Sequence, residues 1–392
     1  MKKLFTSIIL LLSVTSFYAQ NIEDLSFGTE NTFDAVTWNI ENFPKNGQTT
    51  IDYVKQIIKN LDVEVLAVQE ISDTALFKQM VNELEGYDSY FNTSYSSGLD
   101  LAYIYKTSQL EFNDAYEILT GHQYYFYPRS PMVMEMTFLG NNFILINNHF
   151  KCCGDGVIDR DDTNDEEYRR YRSSEELKKY ITDSDLTEEN VILLGDLNDE
   201  LTDESENNVF QMFIDDSLYK FADMSIAEGD NSNWSYPGWP SHLDHILITK
   251  GLFDEFDKDS SEVKTLKIGD YFSGGLSDYE SNVSDHRPVG IKLLVDEQEE
   301  PTGIAGSKIP EFEFENYPNP FEEKTTFQFE KVTSDATIEI YNFQGRKIHS
   351  IKVASGKSSV RLNNEDLPTG IYFARFISQG RNIGATKLVK LR

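Results

Sequence analysis

The chain of 392 residues carries 66 Asp and Glu against 35 Lys and Arg, a formal charge of −31, and only two cysteines. That length is more than one average domain and suits one large α/β domain with a small module. Residues 301–392 hold 13 Lys and Arg against 10 Asp and Glu, which leaves 22 against 56 in residues 1–300, so the first part carries all of the excess, about −34. A sequence-independent nucleic-acid binder has the opposite sign; the charge argues against long-range capture of a polyanion without excluding its cleavage, because divalent cations screen it.

Lys2 and Lys3 precede the apolar stretch Leu4 to Val14, then Ser16 and Ala19. This is the layout of a secretory signal peptide, residues 1–19, cut near Ala19 or Gln20. The run is too short for a span of roughly 20 residues, and no other stretch could cross a bilayer. From Phe33 the pattern alternates strands and helices. FDAVTWNI is a strand; Thr49 or Thr50 can cap a helix with Ile51, Val54, Ile58 and Leu61 on one face; VEVLAVQE is a strand; a helix follows around Phe77 to Leu84. Strands are expected at 87–93, 101–106, 132–139 and 143–149, a charged helix from about Asp165 to Thr182, and strands in NVILLGDLN, HLDHILIT and PVGIKLLV. Strands from both halves meeting as two sheets with helices outside predict a layered α/β sandwich over 30–296. DEQEEPTGIAGSKIP is a linker, set at 297–314. From 315 to 392, TTFQFE, ATIEIYN, SSVRLN and GIYFARF alternate with turn residues, which predicts a small all-β sandwich.

Five segments bring polar groups to strand ends: TWNIEN at 37–42, AVQE at 67–70, NNHF at 147–150, GDLND at 195–199 and SDHRP at 284–288. Together they suit metal-assisted hydrolysis of a phosphoester, which needs carboxylates for a hard cation, amides to position groups and imidazoles to handle protons. Asn39 offers an amide oxygen to a metal, or forms a turn. Glu70 ends an apolar strand and needs a partner, for which a cation is suited. Asp196 and Asn198, two apart on an extended segment, point to one side, with Gly195 permitting a tight turn. Asp285 and His286 reach one site only through a turn, which Pro288 favours. Asp244 is the candidate to orient His286 and raise its pKa, while His245 points away and is structural. His149 ends a strand aimed at the same rim. Arg129, in PRSP, either clamps a phosphate or is a surface residue held between prolines. Oxygen donors favour Mg²⁺ or Mn²⁺ over zinc. Cys152 and Cys153 can form a vicinal disulfide, stay free or pair between molecules. Asp155, Asp159, Asp161 and Asp162 could hold Ca²⁺, but without EF-hand spacing a solvated acidic loop is the plainer reading.

With PRSP and LDHI added, these motifs resemble the endonuclease/exonuclease/phosphatase superfamily, whose fold is that of deoxyribonuclease I. The resemblance covers about Phe33 to Val295. It implies a four-layer α/β sandwich with Asn39, Glu70, Asp196, Asn198 and Asp285 around Mg²⁺, and His149 and the His286–Asp244 pair at the scissile phosphate. Within that set, Asn39, Glu70 and Asp285 are expected to hold the metal, and Asp196 with Asn198 to activate water; whether Asp196 or His286 is the base stays open. His149 inclines the chain towards the deoxyribonuclease I and sphingomyelinase side. LAYIYK, ended by Lys106, and the insert KCCGDGVIDRDDTNDEE depart from the family pattern, and the insert is the expected seat of substrate choice. YPNPF, IEIYNFQGRKI, LPTGIYFARF and KLVKL resemble the C-terminal sorting domain of type IX secretion substrates, which implies the type IX machinery as partner and a secreted or cell-surface location. The expected activity is a secreted phosphodiesterase acting on DNA or RNA. A phospholipid or phosphomonoester substrate is the second expectation, and the aromatic loop of Trp234, Tyr236 and Trp239 suits either a lipid or stacked bases. An inactive cell-surface binding protein is the third.

Overall fold

A computed structural model describes residues 21–29, 31–91, 99–126 and 129–297, then 314–332, 334–342, 347–363, 367–378 and 381–391. The expected signal peptide and nearly all of the expected linker lie outside these residues. The chain divides into two units between residues 300 and 301.

Twelve strands of the first unit form two sheets. They are β1 (Thr32–Phe43), β2 (Val65–Ile71), β3 (Tyr87–Phe91), β4 (Asp100–Lys106), β5 (Glu111–Glu117), β6 (Met132–Phe138), β7 (Asn141–His149), β8 (Val191–Asp196), β9 (Tyr219–Phe221), β10 (Asp244–Thr249), β11 (Glu262–Thr265) and β12 (Val289–Leu294). One sheet runs β11-β12-β1-β2-β4-β3 and the other β5-β6-β7-β8-β10-β9. Each contains one parallel pair, β1 with β2 and β7 with β8.

Period-two alternation explains the layering. Phe33, Ala35, Val65 and Ala67 of one sheet pack against Leu145, Ile192, Leu194, Ile246 and Ile248 of the other. The opposite face of the first sheet, with Val36, Trp38, Leu66 and Val68, packs on Ile51, Val54 and Ile58 of the helix Gln48–Leu61 and on Phe77 and Val81 of the helix Thr74–Asn82. The second sheet buries Ile146, Leu193 and Leu247 under Leu177 and Ile181 of the helix Glu166–Asp183. The result is the expected four-layer sandwich. The first helix starts at Gln48 behind Gly47 rather than at a threonine cap, and the second is capped by the Asp73 carboxylate, which accepts from Leu76 N at 2.9 Å.

The second unit is all β, with a three-stranded sheet, β13 (Phe314–Tyr317), β14 (Lys324–Phe329) and β17 (Ser359–Asn363), and a four-stranded one, β16 (Lys347–Val353), β15 (Ala336–Asn342), β18 (Gly370–Ser378) and β19 (Arg381–Lys390). Phe327, Ile338, Ile340, Leu362 and Phe376 share its core.

Candidate active site

The stripe of side chains that fills the space between the two sheets turns polar at one rim. Odd-numbered positions of β1 and β7 and even-numbered positions of β8 and β10 face inward, so Asn39, His149, Asp196 and Asp244 continue the rows that bury Ala35, Leu145, Leu194 and Ile246. Register brings them together: His149 pairs with Asp196 across the parallel β7–β8 ladder, and Asp244 pairs with Asp196 across β8–β10. Beneath the rim, Gln69 Nε2 donates to Asn147 Oδ1 at 2.8 Å, and Asn147 Nδ2 donates to the carbonyls of Val68 and Ala102 at 3.1 and 3.0 Å, tying the two sheets under the site.

His286 enters from the bend before β12. Its Nδ1 donates to Asp244 Oδ2 at 2.7 Å, and its Nε2 lies 3.7 Å from Asp196 Oδ2. Asn39 Nδ2 donates to that same oxygen at 3.0 Å, while Asn39 Oδ1 accepts from Glu41 N at 2.9 Å. His149 Nε2 lies 3.5 Å from Asp196 Oδ2 and 3.9 Å from Glu70 Oε1. Burial opposes the charged form of His286, but the Asp244, Asp196 and Asp285 carboxylates outweigh it and raise the ring to about 10. Burial, then Arg129 and His286, hold His149 well below the usual histidine range. Asp196 is pushed up to about 7, by burial first and with Asp244 and Glu70 adding, against His286 and Asn39. The site therefore pairs one charged and one neutral imidazole with a carboxyl poised near neutrality.

These groups open on a pocket of about 370 Å³ lined by Glu41, Glu70, His149, Asp196, Asn198, Asp285 and His286, with Cys152, Cys153 and Tyr236 on its walls. Of the expected site residues, Asp244 stands behind His286, and Arg129 is buried to the side of His149, where Nη1 donates to the Leu99 carbonyl at 3.3 Å. Neither Asp244, Arg129 nor Asn39 is on the pocket wall. Asn198 reaches the pocket from a positive φ of 54° two residues beyond the end of β8, where its N–H donates to Asp196 Oδ1 at 3.2 Å, rather than from an extended segment. Gly195 makes no turn. It lies within β8, where a Cβ would stand 2.0 Å from the Asn148 carbonyl oxygen, so its place in GDLND is fixed by close approach of β7.

Glu41 escaped the sequence reading. Its Oε2 accepts from Asp285 N at 2.8 Å and pairs with Lys45, and burial with the Asp285 charge raises its pKa. The signal was present in TWNIEN, but β1 bulges against β2 between Asn39 and Phe43, which breaks the alternation on which the reading rested. Among the described residues nine other than glycine have positive φ, and Glu41, Asn42, Glu70, Cys153 and Asn198 of that set line this pocket. Such conformations cost of order 1–3 kcal/mol each and gather at functional sites.

A divalent cation fits this donor set. Glu41, Glu70, Asp196 and Asp285 line the pocket and no Lys or Arg does; Lys45, Arg129, Lys151 and the His286 ring supply positive charge around it. Among the described residues three other clusters bring metal-type ligands together. At Asp165, Glu166 and Glu167, Asp165 Oδ1 caps the helix by accepting from Tyr168 N at 2.7 Å, and Glu167 Oε1 pairs with Arg170 at 3.2 Å. Asp196, Asp244 and His286 meet around a protonated ring. In the Asp223–His242–His245 cluster every ring nitrogen has a protein partner: His242 Nε2 and His245 Nδ1 meet Asp223 Oδ2 at 3.0 and 2.6 Å, His242 Nδ1 accepts from Ser235 N at 3.3 Å, and His245 Nε2 donates to the Asp199 carbonyl at 2.8 Å. His245 is thus structural, facing away from the polar rim. In the acidic insert, Asp155, Asp159 and Asp162 each accept a backbone N–H two residues on, at 3.1, 2.9 and 2.8 Å, as turn formers do.

Two mixed sheets packed face to face carry carboxylates, amides and imidazoles at one rim, a set suited to hydrolysis of a phosphoric ester. The chain belongs to the Endonuclease/Exonuclease/phosphatase family, which it matches over residues 36–286, and residues 315–390 match the Secretion system C-terminal sorting domain. The fold is similar to that of D. rerio TDP2 humanized by 14 mutations, at 13% identity and TM-score 0.51, covering 68% of this chain and 100% of that one. It is also similar to D. rerio TDP2 complexed with single strand DNA product, at 12% identity and TM-score 0.52 with the same two coverages, 68% and 100%. No curated protein matches the chain. The sorting domain marks a secreted or cell-surface protein, and among the described residues no helix is long and apolar enough to cross a membrane.

Proposed function

We propose that the protein is a secreted, divalent-metal-dependent phosphodiesterase whose substrate is extracellular nucleic acid, exported by a signal peptide at residues 1–19 and the type IX machinery acting on the tail. The observation that carries the chemistry is the pair of hydrogen bonds, His286 to Asp244 and Asn39 to Asp196, that presents His286 and Asp196 3.7 Å apart on a pocket rich in carboxylates. Glu70 and Asp285, with Asn39 beside them, would hold Mg²⁺ or Mn²⁺, which when bound stabilises charge on the phosphate and the leaving oxygen.

The protein groups divide the remaining work. Asp196, kept in place by Asn39 Nδ2 and the Asn198 N–H, takes the proton of the attacking water, a role suited to a carboxyl near neutrality. His286, held as the imidazolium by Asp244, donates from Nε2 to a phosphate or leaving oxygen. Neutral His149 hydrogen-bonds the phosphate from the opposite side of Asp196 without adding a charge. Arg129 lies off the pocket wall and adds to burial, the larger cause, in keeping His149 neutral.

The substrate reading rests on the aromatic hairpin. Tyr236 and Ser241 exchange backbone hydrogen bonds at 3.0 and 3.1 Å, the Tyr236 ring lies 4.9 Å from that of His286, and Trp239 at the turn is 77% exposed. A rigid hairpin with an exposed indole beside the catalytic histidine suits stacking on a base. The same indole favours a phospholipid as the second reading. The test is activity with Mg²⁺ and with EDTA on plasmid DNA, single-stranded RNA, sphingomyelin vesicles and a phosphomonoester. Metal-dependent cleavage of nucleic acid is expected; turnover confined to lipid or monoester would overturn the substrate, and silence on all four would leave a binding protein.

A further inference from the structure

Cys152 and Cys153, in the segment Lys151-Cys152-Cys153-Gly154, line the catalytic pocket, yet phosphoester hydrolysis has no use for a thiol. Neighbouring side chains on an extended chain point apart. Here the chain turns, with φ of 75° at Cys153 and 113° at Gly154, and the two sulfurs meet with Sγ···Sγ at 2.9 Å. Both cysteines are exposed, and both line the pocket beside Glu70, His149 and Asn198.

The turn is held from behind by buried groups. Arg170 Nη1 donates to the Lys151 and Cys153 carbonyls at 2.8 and 2.7 Å, one on each side of the pair, and Arg170 Nε donates to Asp199 Oδ2 at 2.7 Å. Glu167 Oε1 accepts from Gly156 N at 2.6 Å, and a Cβ on Gly154 would stand 2.1 Å from that same oxygen. Backbone on both sides of the dithiol is therefore fixed to the long helix and to the GDLND turn, while the sulfurs themselves face solvent.

We propose that Cys152 and Cys153 are a dithiol modification site at the mouth of the catalytic pocket, converted by low-molecular-weight organic disulfides to a vicinal disulfide that alters substrate binding. The two thiols are inequivalent. Lys151 Nζ lies 3.7 Å from Cys152 Sγ, and Cys153 donates its S–H to Cys152, so the Cys152 sulfur is the one that faces a cation. The Cys152 thiolate attacks one sulfur of the organic disulfide and releases the first thiol. Cys153, losing its proton to solvent, attacks Cys152 Sγ and releases the second. Both cysteines are oxidised, the reagent is reduced to two thiols, and no other reactant is needed. A disulfide between adjacent residues spans Cα atoms about 3.8 Å apart, below the usual range, so it is strained and readily reduced, which makes the change reversible. The effect on substrate rests on the phosphodiesterase reading; the thiol chemistry does not.

The test treats the full chain with oxidised glutathione and reads the mass of the peptide containing residues 151–160, followed by dithiothreitol. Loss of two hydrogens, no retained glutathione and full reversal are expected, with Cys153→Ser arrested as the glutathione adduct on Cys152. Free thiols, a stable adduct on the unaltered chain, or sulfur-linked dimers would each overturn the site. With a substrate that the enzyme cleaves, the oxidised form is expected to show a severalfold change in KM with little change in kcat, and the Cys152→Ser, Cys153→Ser double variant no response to the reagent. Equal KM in both redox states would overturn the effect on binding while leaving the modification and the phosphodiesterase reading intact.

Discussion

Replacing Asp244 by Asn keeps a hydrogen-bond partner for His286 Nδ1 but removes the carboxylate that does most to outweigh burial of the ring. The active form of His286 in the proposed mechanism is the imidazolium, present below its folded pKa of about 10. The Asp244→Asn enzyme should therefore lose roughly 10²-fold or more in kcat near neutrality, and the alkaline limb of its pH–rate profile should move to lower pH. An unchanged limb would remove His286 from the acid role. Glu70→Ala should abolish metal-dependent turnover, by roughly 10³-fold, with circular dichroism and thermal midpoint close to those of the parent; retained activity would sink the metal assignment. Glu70, His149, Asp196 and His286 were legible because each ends an apolar run or sits in a tight motif, and their types suit one chemistry. Glu41 was not, because a bulge is a departure from periodicity that periodicity cannot report.

At the level of elements, the Asp223–His242–His245 cluster fixes β10 and the loop before it, since Asp223 Oδ1 also accepts from Ile246 N at 2.9 Å. Burial acts against both charges, but the two histidines hold Asp223 below the usual carboxylate range, and Asp223 holds His245 above the usual histidine value. The raised His245 contributes stability that is full below about 6.5 and lost as pH rises through its folded pKa; the depressed Asp223 contributes stability present above its ordinary value and lost as pH falls. His245→Gln should cost about 3–5 kcal/mol in urea unfolding near neutrality, because it leaves a buried charge short of a partner, and should flatten the alkaline fall in stability. A cost below 1 kcal/mol would mean that the cluster is incidental to folding. Sequence alone placed His245 on the structural face by alternation, but Asp223 and His242 lie 22 and 3 residues away from it, and nothing local announces that they meet. Strand β5 was missed for a related reason: in EFNDAYE only Ala115 is buried, so an edge strand carries no apolar rhythm.

The charge of the whole molecule sets how it meets a polyanion. With about −34 in residues 1–300 and a slight positive excess in the tail, the catalytic unit and nucleic acid repel each other over a Debye length, roughly 30 Å at 0.01 M salt and 10 Å at 0.1 M. KM for a long polynucleotide should therefore fall as NaCl rises across that range at fixed Mg²⁺, the reverse of the usual loss of affinity with salt. A KM that climbs steadily with salt would point to capture by a basic track and would overturn the repulsion argument.

The five non-glycine residues with positive φ around the pocket also shape what can descend from this chain. Glycine adopts that backbone freely, so each change to glycine there relaxes the folded chain at the expense of a side chain used in the site. A lineage freed from catalysis would drift towards glycine at Glu41, Glu70 and Asn198 and become more heat-tolerant as it did so. In relatives of this chain, glycine at those three positions would serve as a molecular fossil of abandoned enzymology.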